Sequence, residues 1–153
     1  MPRIITALLK YYGRGFGLGL MPFMPGTWGT LPALPIAWLC PDVLGMKVGL
    51  YLTLLPVSYL AADVLGKALG DSDHKSIVCD EIIGILPLLL WTSPQYWLAS
   101  FLLFRLFDIL KPWPISWIDN QVTGALGCLL DDLLAGLAAF CVVYLCCLLY
   151  TSP

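Results

Sequence analysis

Long apolar segments alternate with short polar ones along the chain, and this pattern predicts a helical protein. Residues 44–62 are apolar except for Lys47 near one end, and residues 133–150 form an apolar run of 18 residues. A run of that length is about what an α-helix needs to cross a bilayer. Residues 31–40 predict a shorter apolar helix, because Pro32 is tolerated in a first turn. Residues 63–76, between the apolar segments, are polar.

Residues 82–104 carry no charge, and their pattern has two interpretations. They belong either to one membrane span or to two helices, over residues 76–91 and 96–111. We favour the two helices, because the sequence Thr-Ser-Pro-Gln at residues 92–95 is a turn signal. The resulting hairpin also returns Arg105, Asp108 and Lys111 to the side of the protein that holds Asp80 and Glu81.

The composition indicates a membrane protein. Hydrophobic residues make up 59% of the chain and charged residues 12%, and the mean hydropathy is +0.86. A soluble domain usually carries about 25% charged residues, so this chain has too few to cover a water-facing surface. We predict a single all-α domain over residues 1–153, a small polytopic membrane helical bundle of about four to five membrane-embedded helices. It has a Gly/Pro-rich N-terminal loop, at residues 15–30, and we expect no secretory signal peptide.

The basic residues predict the orientation of this bundle, because cytoplasmic loops of membrane proteins carry an excess of Lys and Arg. With a cytoplasmic N-terminus, the hairpin topology leaves only Lys47 outside. Seven basic residues then lie inside: Arg3, Lys10, Arg14, Lys67, Lys75, Arg105 and Lys111. The single-span alternative weakens this bias, because it moves Arg105 and Lys111 outward.

Acidic residues cluster near the ends of the apolar segments and indicate a site at the membrane surface. The cluster contains Asp80, Glu81, Asp108, Asp131 and Asp132. Carboxylates are costly in or near lipid, so their presence there suggests function. An all-oxygen set of ligands suits Mg²⁺, Mn²⁺ or Ca²⁺. We therefore predict that these five residues are the metal ligands.

Arg105, Asp108 and Lys111 follow one another at intervals of three residues and are predicted to form one slanted stripe on a helix. In such a stripe the carboxylate holds a metal ion while the two cations hold phosphate oxygens. The alternative is a salt-bridge stripe at a helix end, because structural ion pairs are common.

A glycine follows an aspartate by four residues in two places, with Gly84 after Asp80 and Gly136 after Asp132. Positions four apart share a face of a helix. Small residues also let membrane helices approach closely. Two helices packed at these glycines would bring their carboxylates together.

Other chemistries find little support in the sequence. The six cysteines include no C-x-x-C pair, so we interpret them as structural residues and not as zinc ligands. No G-x-x-x-x-G-K-[ST] loop is present. Asp71-Ser72-Asp73 resembles an aspartyl-nucleophile motif, but no β-rich apolar run precedes it. With His74 as its one histidine, the chain does not suit a lipid phosphatase with a histidine nucleophile.

Four segments together resemble the phosphatidylglycerophosphatase A family. They are P-G-T-W-G-T at residues 25–30, I-V-C-D-E-I-I-G at 77–84, F-R-L-F-D-I-L-K-P-W-P-I at 104–115 and D-D-L-L-A-G at 131–136. The third is highly specific, and departures at Cys79, His74 and Ala125 remove no carboxylate. The resemblance implies a mostly helical, Mg²⁺-dependent lipid phosphatase of the bacterial inner membrane. Its substrate would be phosphatidylglycerophosphate and its product phosphatidylglycerol.

We predict metal-assisted attack of water on the phosphomonoester, at the cytoplasmic face. One of the five carboxylates acts as general base, and Arg105 and Lys111 bind the phosphate. Asp119 is expected to contact the residues that bind the metal ion or the phosphate, and not to be a ligand itself. Expected partners are the lipid substrate and the membrane, with no nucleic acid, and the oligomeric state is left open.

The N-terminal loop either binds the head group through backbone N–H groups or forms a turn without ligand contact. Its candidate residues for binding are Thr27, Gly29 and Thr30.

Two alternative functions are left open. The first is a non-catalytic membrane protein whose carboxylates line a path for cations. Such a path should place carboxylates at mid-span, yet the middles of residues 44–62 and 133–150 contain no acidic residue. The second is a phosphatase that acts on a different lipid phosphate.

Overall fold

The computed structural model describes residues 2–151, with side chains described as far as residue 147. These residues form helices and contain no β-strand, which confirms the all-α prediction for this part of the chain. Short 3₁₀ segments lie at Gly15–Leu20 and Pro94–Tyr96. The helices are α1 (Arg3–Gly13), α2 (Pro25–Thr30), α3 (Ala33–Leu39), α4 (Leu44–Leu69), α5 (Cys79–Trp91), α6 (Trp97–Leu110), α7 (Ile115–Gln121) and α8 (Ala125–Thr151).

Helix α5 lies at the centre of the bundle. It packs against α2, α3, α4, α6 and α8, and ten of its 13 residues are buried. A helix that is apolar all round is typical of such a position. The core around it includes Phe104 of α6 together with Ala135 and Ala139 of α8. This central position places the acidic first turn of α5, with Asp80 and Glu81, among its neighbours.

The structure confirms the predicted hairpin. Helix α5 ends at Trp91 and α6 begins at Trp97, so residues 82–104 do not form one continuous helix. The indole N–H of Trp97 donates to the carbonyl oxygens of Leu89, at 3.1 Å, and Thr92, at 3.3 Å. These bonds satisfy carbonyl groups that the end of α5 leaves free. The end of α6 therefore returns to the beginning of α5.

Helices α4 and α8 are longer than predicted. Helix α4 continues past residue 62 into the segment that the sequence marks as polar, and Asp63 and Lys67 form an ion pair of 2.6 Å along it. It ends at Leu69 and is followed by Gly70, whose φ of 74° suits glycine at a helix end. Helix α8 begins at Ala125, before the apolar run, so that Asp131 and Asp132 lie inside the helix.

Two helices are long and apolar enough to cross a membrane within the residues that the structure describes. They are Leu44–Leu69, with 26 residues, and Ala125–Cys147, with 23 residues. The other helices have 14 residues or fewer, or about 21 Å at a rise of 1.5 Å per residue. The predicted number of four to five membrane-embedded helices therefore stays a prediction.

The predicted N-terminal loop contains one short helix, α2, that the sequence pattern did not indicate. Phe16 and Gly17, with φ of 58° and 96°, reverse the chain within the 3₁₀ segment. Pro25 then begins α2 in its first turn, where the missing N–H of proline costs nothing. The segment thus combines a sharp reversal at residues 15–17, as expected of a loop, with a short helix over Pro25–Thr30.

The predicted packing of two glycines is confirmed. A Cβ atom on Gly136 of α8 would lie 2.1 Å from the carbonyl oxygen of Gly84 of α5. A Cβ atom on Gly84 would lie 2.8 Å from the carbonyl oxygen of Asp132. The backbones of α5 and α8 are therefore in contact, and only glycine fits at either position.

Candidate active site

A pocket of about 790 Å³ opens where the first turn of α5, the end of α6 and the second turn of α8 meet. All five predicted metal ligands and both predicted phosphate-binding cations line it. These residues are Asp80, Glu81, Arg105, Asp108, Lys111, Asp131 and Asp132. The α5–α6 hairpin supplies Asp80, Glu81, Arg105 and Asp108. The glycine contact between α5 and α8 brings the aspartate pair of α8 to the same place.

Arg105 joins two of the carboxylates. Its Nη1 atom lies 3.1 Å from Oε1 of Glu81 and 2.5 Å from Oδ2 of Asp108. The three side chains are between 14% and 15% exposed, so these ion pairs are largely desolvated. The Nε atom of Arg105 is buried and has no hydrogen-bond partner among the described residues. A guanidinium group with an unused N–H suits an additional oxygen acceptor such as a phosphate oxygen.

Lys111 does not belong to the predicted stripe. Helix α6 ends at Leu110, and Lys111 follows it in a left-handed conformation with φ of 41°. The stripe therefore contains Arg105 and Asp108 alone. The Nζ atom of Lys111 instead lies 2.7 Å from Oδ1 of Asp119 and 2.5 Å from Oδ2 of Asp131.

These two carboxylates keep Lys111 protonated. Burial lowers the pKa of Lys111, but the hydrogen bonds to Asp119 and Asp131 outweigh this effect and leave the pKa above its ordinary value. Asp119 is exposed on α7 and lies outside the pocket lining. Its contact with Lys111 is compatible with the supporting position predicted for it.

Asp80 and Asp132 are buried, at 7% and 5% exposure. Neither forms an ion pair with a lysine or arginine in the part of the chain that the structure describes. A buried carboxylate without a partner costs several kcal/mol. Arg105 and Lys111 are each already paired with two carboxylates, so no lysine or arginine offsets the cost of burying a charge on Asp80 or Asp132, and a bound cation would do so.

The donor atoms of the pocket fit a hard divalent cation, because they are carboxylate oxygens. No three Asp, Glu, His or Cys side chains among the described residues are arranged to enclose a metal ion by themselves. Mg²⁺ commonly binds through one or two carboxylates together with waters and substrate phosphate oxygens. A metal ion held by the five carboxylates therefore stays a prediction, and water or substrate oxygens would have to complete its coordination.

The predicted head-group residues of α2 lie beside the pocket and not in its lining. The hydroxyl of Thr30 donates to the carbonyl oxygen of Gly26 at 2.7 Å and lies 3.4 Å from Oε2 of Glu81. Gly29 packs against the side chain of Val78. The hydroxyl oxygen of Thr27 is buried without a hydrogen-bond partner among the described residues. A role of these three residues in phosphate binding stays a prediction.

Like Thr30, Gly26 of α2 approaches the ion pairs of Arg105, and no signal in the sequence predicts its position there. A Cβ atom there would lie 2.1 Å from Oε1 of Glu81 and 3.0 Å from Nη2 of Arg105. The motif at residues 25–30 contains it, but a motif does not tell which of its two glycines faces the site. The pocket is also lined by polar residues without a predicted role, His74, Lys75 and Ser76. Their signal in the sequence was only their position shortly before Asp80.

The fold and the pocket define an apolar α-helical protein. Its site combines carboxylates with the side chains of Arg105 and Lys111, a combination that suits a phosphate group. The family model of phosphatidylglycerophosphatase A matches residues 11–147, and the chain belongs to this family. It is therefore a phosphatase, an enzyme that hydrolyses a phosphoric monoester. No solved structure matches the chain.

The chain is similar in sequence to three named bacterial proteins. Phosphatidylglycerophosphatase A of Escherichia coli (strain K12) is 38% identical over 143 residues, which cover 85% of this chain and 78% of the relative. Phosphatidylglycerophosphatase A of Haemophilus influenzae is 40% identical over 138 residues, covering 85% and 83%. A protein of Bacteroides thetaiotaomicron that is provisionally named a phosphatidylinositol-3-phosphatase is 36% identical over 141 residues, covering 86% and 88%.

Proposed function

We propose that the protein hydrolyses phosphatidylglycerophosphate to phosphatidylglycerol and phosphate, with Mg²⁺, at the cytoplasmic face of the bacterial inner membrane. The observation that carries this proposal is the pocket in which carboxylates of α5, α6 and α8 lie together with two cations, Arg105 paired with Glu81 and Asp108 and Lys111 paired with Asp131. Two relatives with the corresponding name, at 38% and 40% identity, support the choice of substrate.

Each group of the pocket has a proposed part in the reaction. When bound, Mg²⁺ supplies positive charge to the phosphate oxygens and lowers the pKa of the attacking water. Asp80 and Asp132, which have no ion pair among the described residues, are the first candidates to hold it. Glu81, Asp108 and Asp131 complete the set of possible ligands, and one of the five accepts the proton of the water.

The cations orient the phosphate. The guanidinium of Arg105 is fixed by Glu81 and Asp108, so its remaining N–H groups are held in place before the substrate binds. Such preorganised donors stabilise the charge that develops on phosphate oxygens in the transition state. Lys111 adds a second positive charge, held between α7 and α8 by Asp119 and Asp131.

The surface of the bundle supports a position in the membrane. Along α6, Leu98, Leu102, Leu106 and Ile109 are between 48% and 71% exposed. These residues recur every three or four positions, so one whole face of α6 is apolar and uncovered. Large exposed apolar surfaces on soluble proteins are rare and mark contacts with membranes or partners. We propose that this face contacts lipid and that the α5–α6 hairpin is embedded beside the spans α4 and α8.

The proposal is tested by phosphate release from a panel of lipid phosphates by purified protein in detergent. We expect phosphatidylglycerophosphate to be the preferred substrate, chelation of divalent ions to abolish release, and Mg²⁺ to restore it. Full activity after exhaustive chelation would exclude the metal mechanism while leaving the substrate assignment intact.

The panel also tests a second candidate function. A relative named provisionally for a phosphatidylinositol-3-phosphatase is 36% identical over 86% of this chain, so phosphatidylinositol 3-phosphate is included. Preference for that lipid over phosphatidylglycerophosphate would overturn the proposed substrate. Release of phosphate from none of the lipids, with Mg²⁺ present, would contradict the proposed function itself.

A further inference from the structure

An apolar groove of about 480 Å³ runs along the bundle between α4, α5 and α8, separate from the acidic pocket. On α5 it is lined by Gly84, Pro87 and Trp91. Between Ile82 and Leu90, Pro87 is the one residue of α5 that is not buried. The central helix of the protein therefore reaches the surface along this groove.

The groove begins next to the acidic pocket. Gly84 lies four residues after Asp80 on α5, and Gly136 lies four residues after Asp132 on α8. Residues four apart on a helix share a face, and four steps of 1.5 Å place them about 6 Å further along the axis. The two carboxylates that lack an ion pair in the described residues thus stand one helical turn from the end of the groove.

The shape and chemistry of the groove suit a hydrocarbon chain. From Gly84 to Trp91 it follows about 10 Å of α5, at 1.5 Å per residue. None of the residues that the structure assigns to its lining is charged. Tyr51 of α4 and Leu137 of α8 form its sides, and the indole of Trp91 lies at the end away from the carboxylates.

We propose that this groove binds one acyl chain of the lipid substrate and thereby positions the attached phosphate among the carboxylates. The inference rests on the proposed function, since it takes the substrate to be a lipid phosphomonoester. In a bilayer the chain leaves equally apolar neighbours when it enters the groove, so hydrophobic transfer contributes little. The contribution of the groove is orientation, and loss of orientation at a reacting centre lowers turnover strongly.

The test narrows the groove without touching the pocket. Leu137→Trp adds bulk to one side of the groove, and Leu137 is 58% exposed, so the fold accommodates the change. Leu145→Trp is the matched control, because Leu145 lies two turns further along α8, is 57% exposed and does not line the groove. Both variants and the wild-type protein are compared on phosphatidylglycerophosphate with oleoyl chains and on its soluble analogue with acetyl chains.

We expect Leu137→Trp to lower kcat/KM for the oleoyl substrate at least about tenfold and to leave the acetyl substrate unchanged. Leu145→Trp leaves both unchanged. As a readout independent of turnover, a lipid phosphate with a photoreactive group on its acyl chain labels the segment from Pro87 to Trp91 in the wild-type protein, and Leu137→Trp reduces this labelling.

Three results would overturn the inference. One is an equal loss on both substrates, and another is no loss on the oleoyl substrate together with unchanged labelling. The third comes from chemical cross-linking of both proteins in detergent: a cross-linked dimer that forms in the wild-type protein and is lost in Leu137→Trp would assign the groove to a second copy of the chain. Failure of the proposed function looks different, because the wild-type protein would then release phosphate from neither substrate.

Discussion

Asp108 connects Arg105, the proposed phosphate-binding cation, to the carboxylate cluster. It holds Nη1 of Arg105 at 2.5 Å and lines the pocket together with the aspartates of α5 and α8. We expect Asp108→Asn to lower turnover by about 10²-fold or more, the scale of one lost electrostatic contact in a transition state. The change keeps the size of the side chain but removes the charge that holds a cation. Steady-state phosphate release in detergent measures it.

Asp71→Asn is the control for this substitution. Asp71 is exposed, and its Oδ1 accepts a hydrogen bond from the backbone N–H of Asp73 at 3.0 Å, which an asparagine can also accept. We expect near-wild-type turnover. If Asp108→Asn is folded, inserted in the membrane and as active as Asp71→Asn, the ion pair of Arg105 is structural and the site assignment is wrong.

At the scale of residues, the sequence predicted which charged groups meet but not how they pair. Charged residues make up 12% of the chain, and each carboxylate near an apolar segment is costly, so the cluster could be recognised. The partners of Lys111 could not be predicted, because they depend on its left-handed backbone after Leu110. The approach of Gly26 to Glu81 depends on the path of the whole N-terminal segment, which local sequence does not determine.

The contact between α5 and α8 depends on Gly136. A Cβ atom there would lie 2.1 Å from a backbone oxygen of α5, which cannot rotate away as a side chain would. We expect Gly136→Ala to destabilise the protein by about 1–3 kcal/mol and to lower activity, because Asp80 and Asp132 lie one turn from this contact. Thermal unfolding in detergent and phosphate release measure the two effects.

Gly49→Ala on α4 is the matched control for this contact. Apart from the local backbone of α4 itself, no atom lies within 4 Å of a Cβ atom at Gly49, so alanine fits and raises helix propensity. We expect unchanged or slightly higher stability and full activity. Equal behaviour of the two variants would show that α5 and α8 can separate without cost, and that the glycine contact does not position the carboxylates.

At the scale of elements, the signals that succeeded were local. The turn at residues 92–95 correctly divides α5 from α6, because proline and polar residues interrupt an apolar run there. The predicted bounds of α4 and α8 were wrong because hydropathy marks the part of a helix that faces apolar surroundings, not its end. Lys67 and Asp131 are charged but helical, with an ion pair each to support them.

The whole molecule has two different ends. Trp28, Trp113 and Trp117 lie on the elements around the acidic pocket, whereas Trp38, Trp91 and Trp97 surround the turn of the hairpin, where the rings of Trp38 and Trp97 are 6.1 Å apart. Tryptophan is enriched at both membrane–water interfaces. The two groups fit a bundle that exposes its pocket on one side of the bilayer and the hairpin turn on the other.

This arrangement and the basic residues predict the topology. Lys47 lies near the hairpin turn, where it lines a pocket with Trp91 and Trp97, and the other seven basic residues lie toward the opposite end in the predicted topology. Because positive charge is retained in the cytoplasm, we expect the pocket to face inward. Single cysteines introduced as Asp71→Cys, Asn120→Cys and Gln95→Cys, at exposed positions, report the side of each.

The measurement is labelling of intact cells with an impermeant maleimide, in a variant whose six native cysteines are replaced by alanine. We expect Gln95→Cys to react in intact cells, and Asp71→Cys and Asn120→Cys to react only after permeabilisation. Phosphate release by the cysteine-free background is the control for folding, because Cys79 is buried beside Asp80 and Cys128 lines the pocket. If positions 71 and 120 are labelled from opposite sides of the membrane, the bilayer must lie between α5 and α7. One pocket could then not contain both Asp80 and Lys111, and the proposed active site would be wrong.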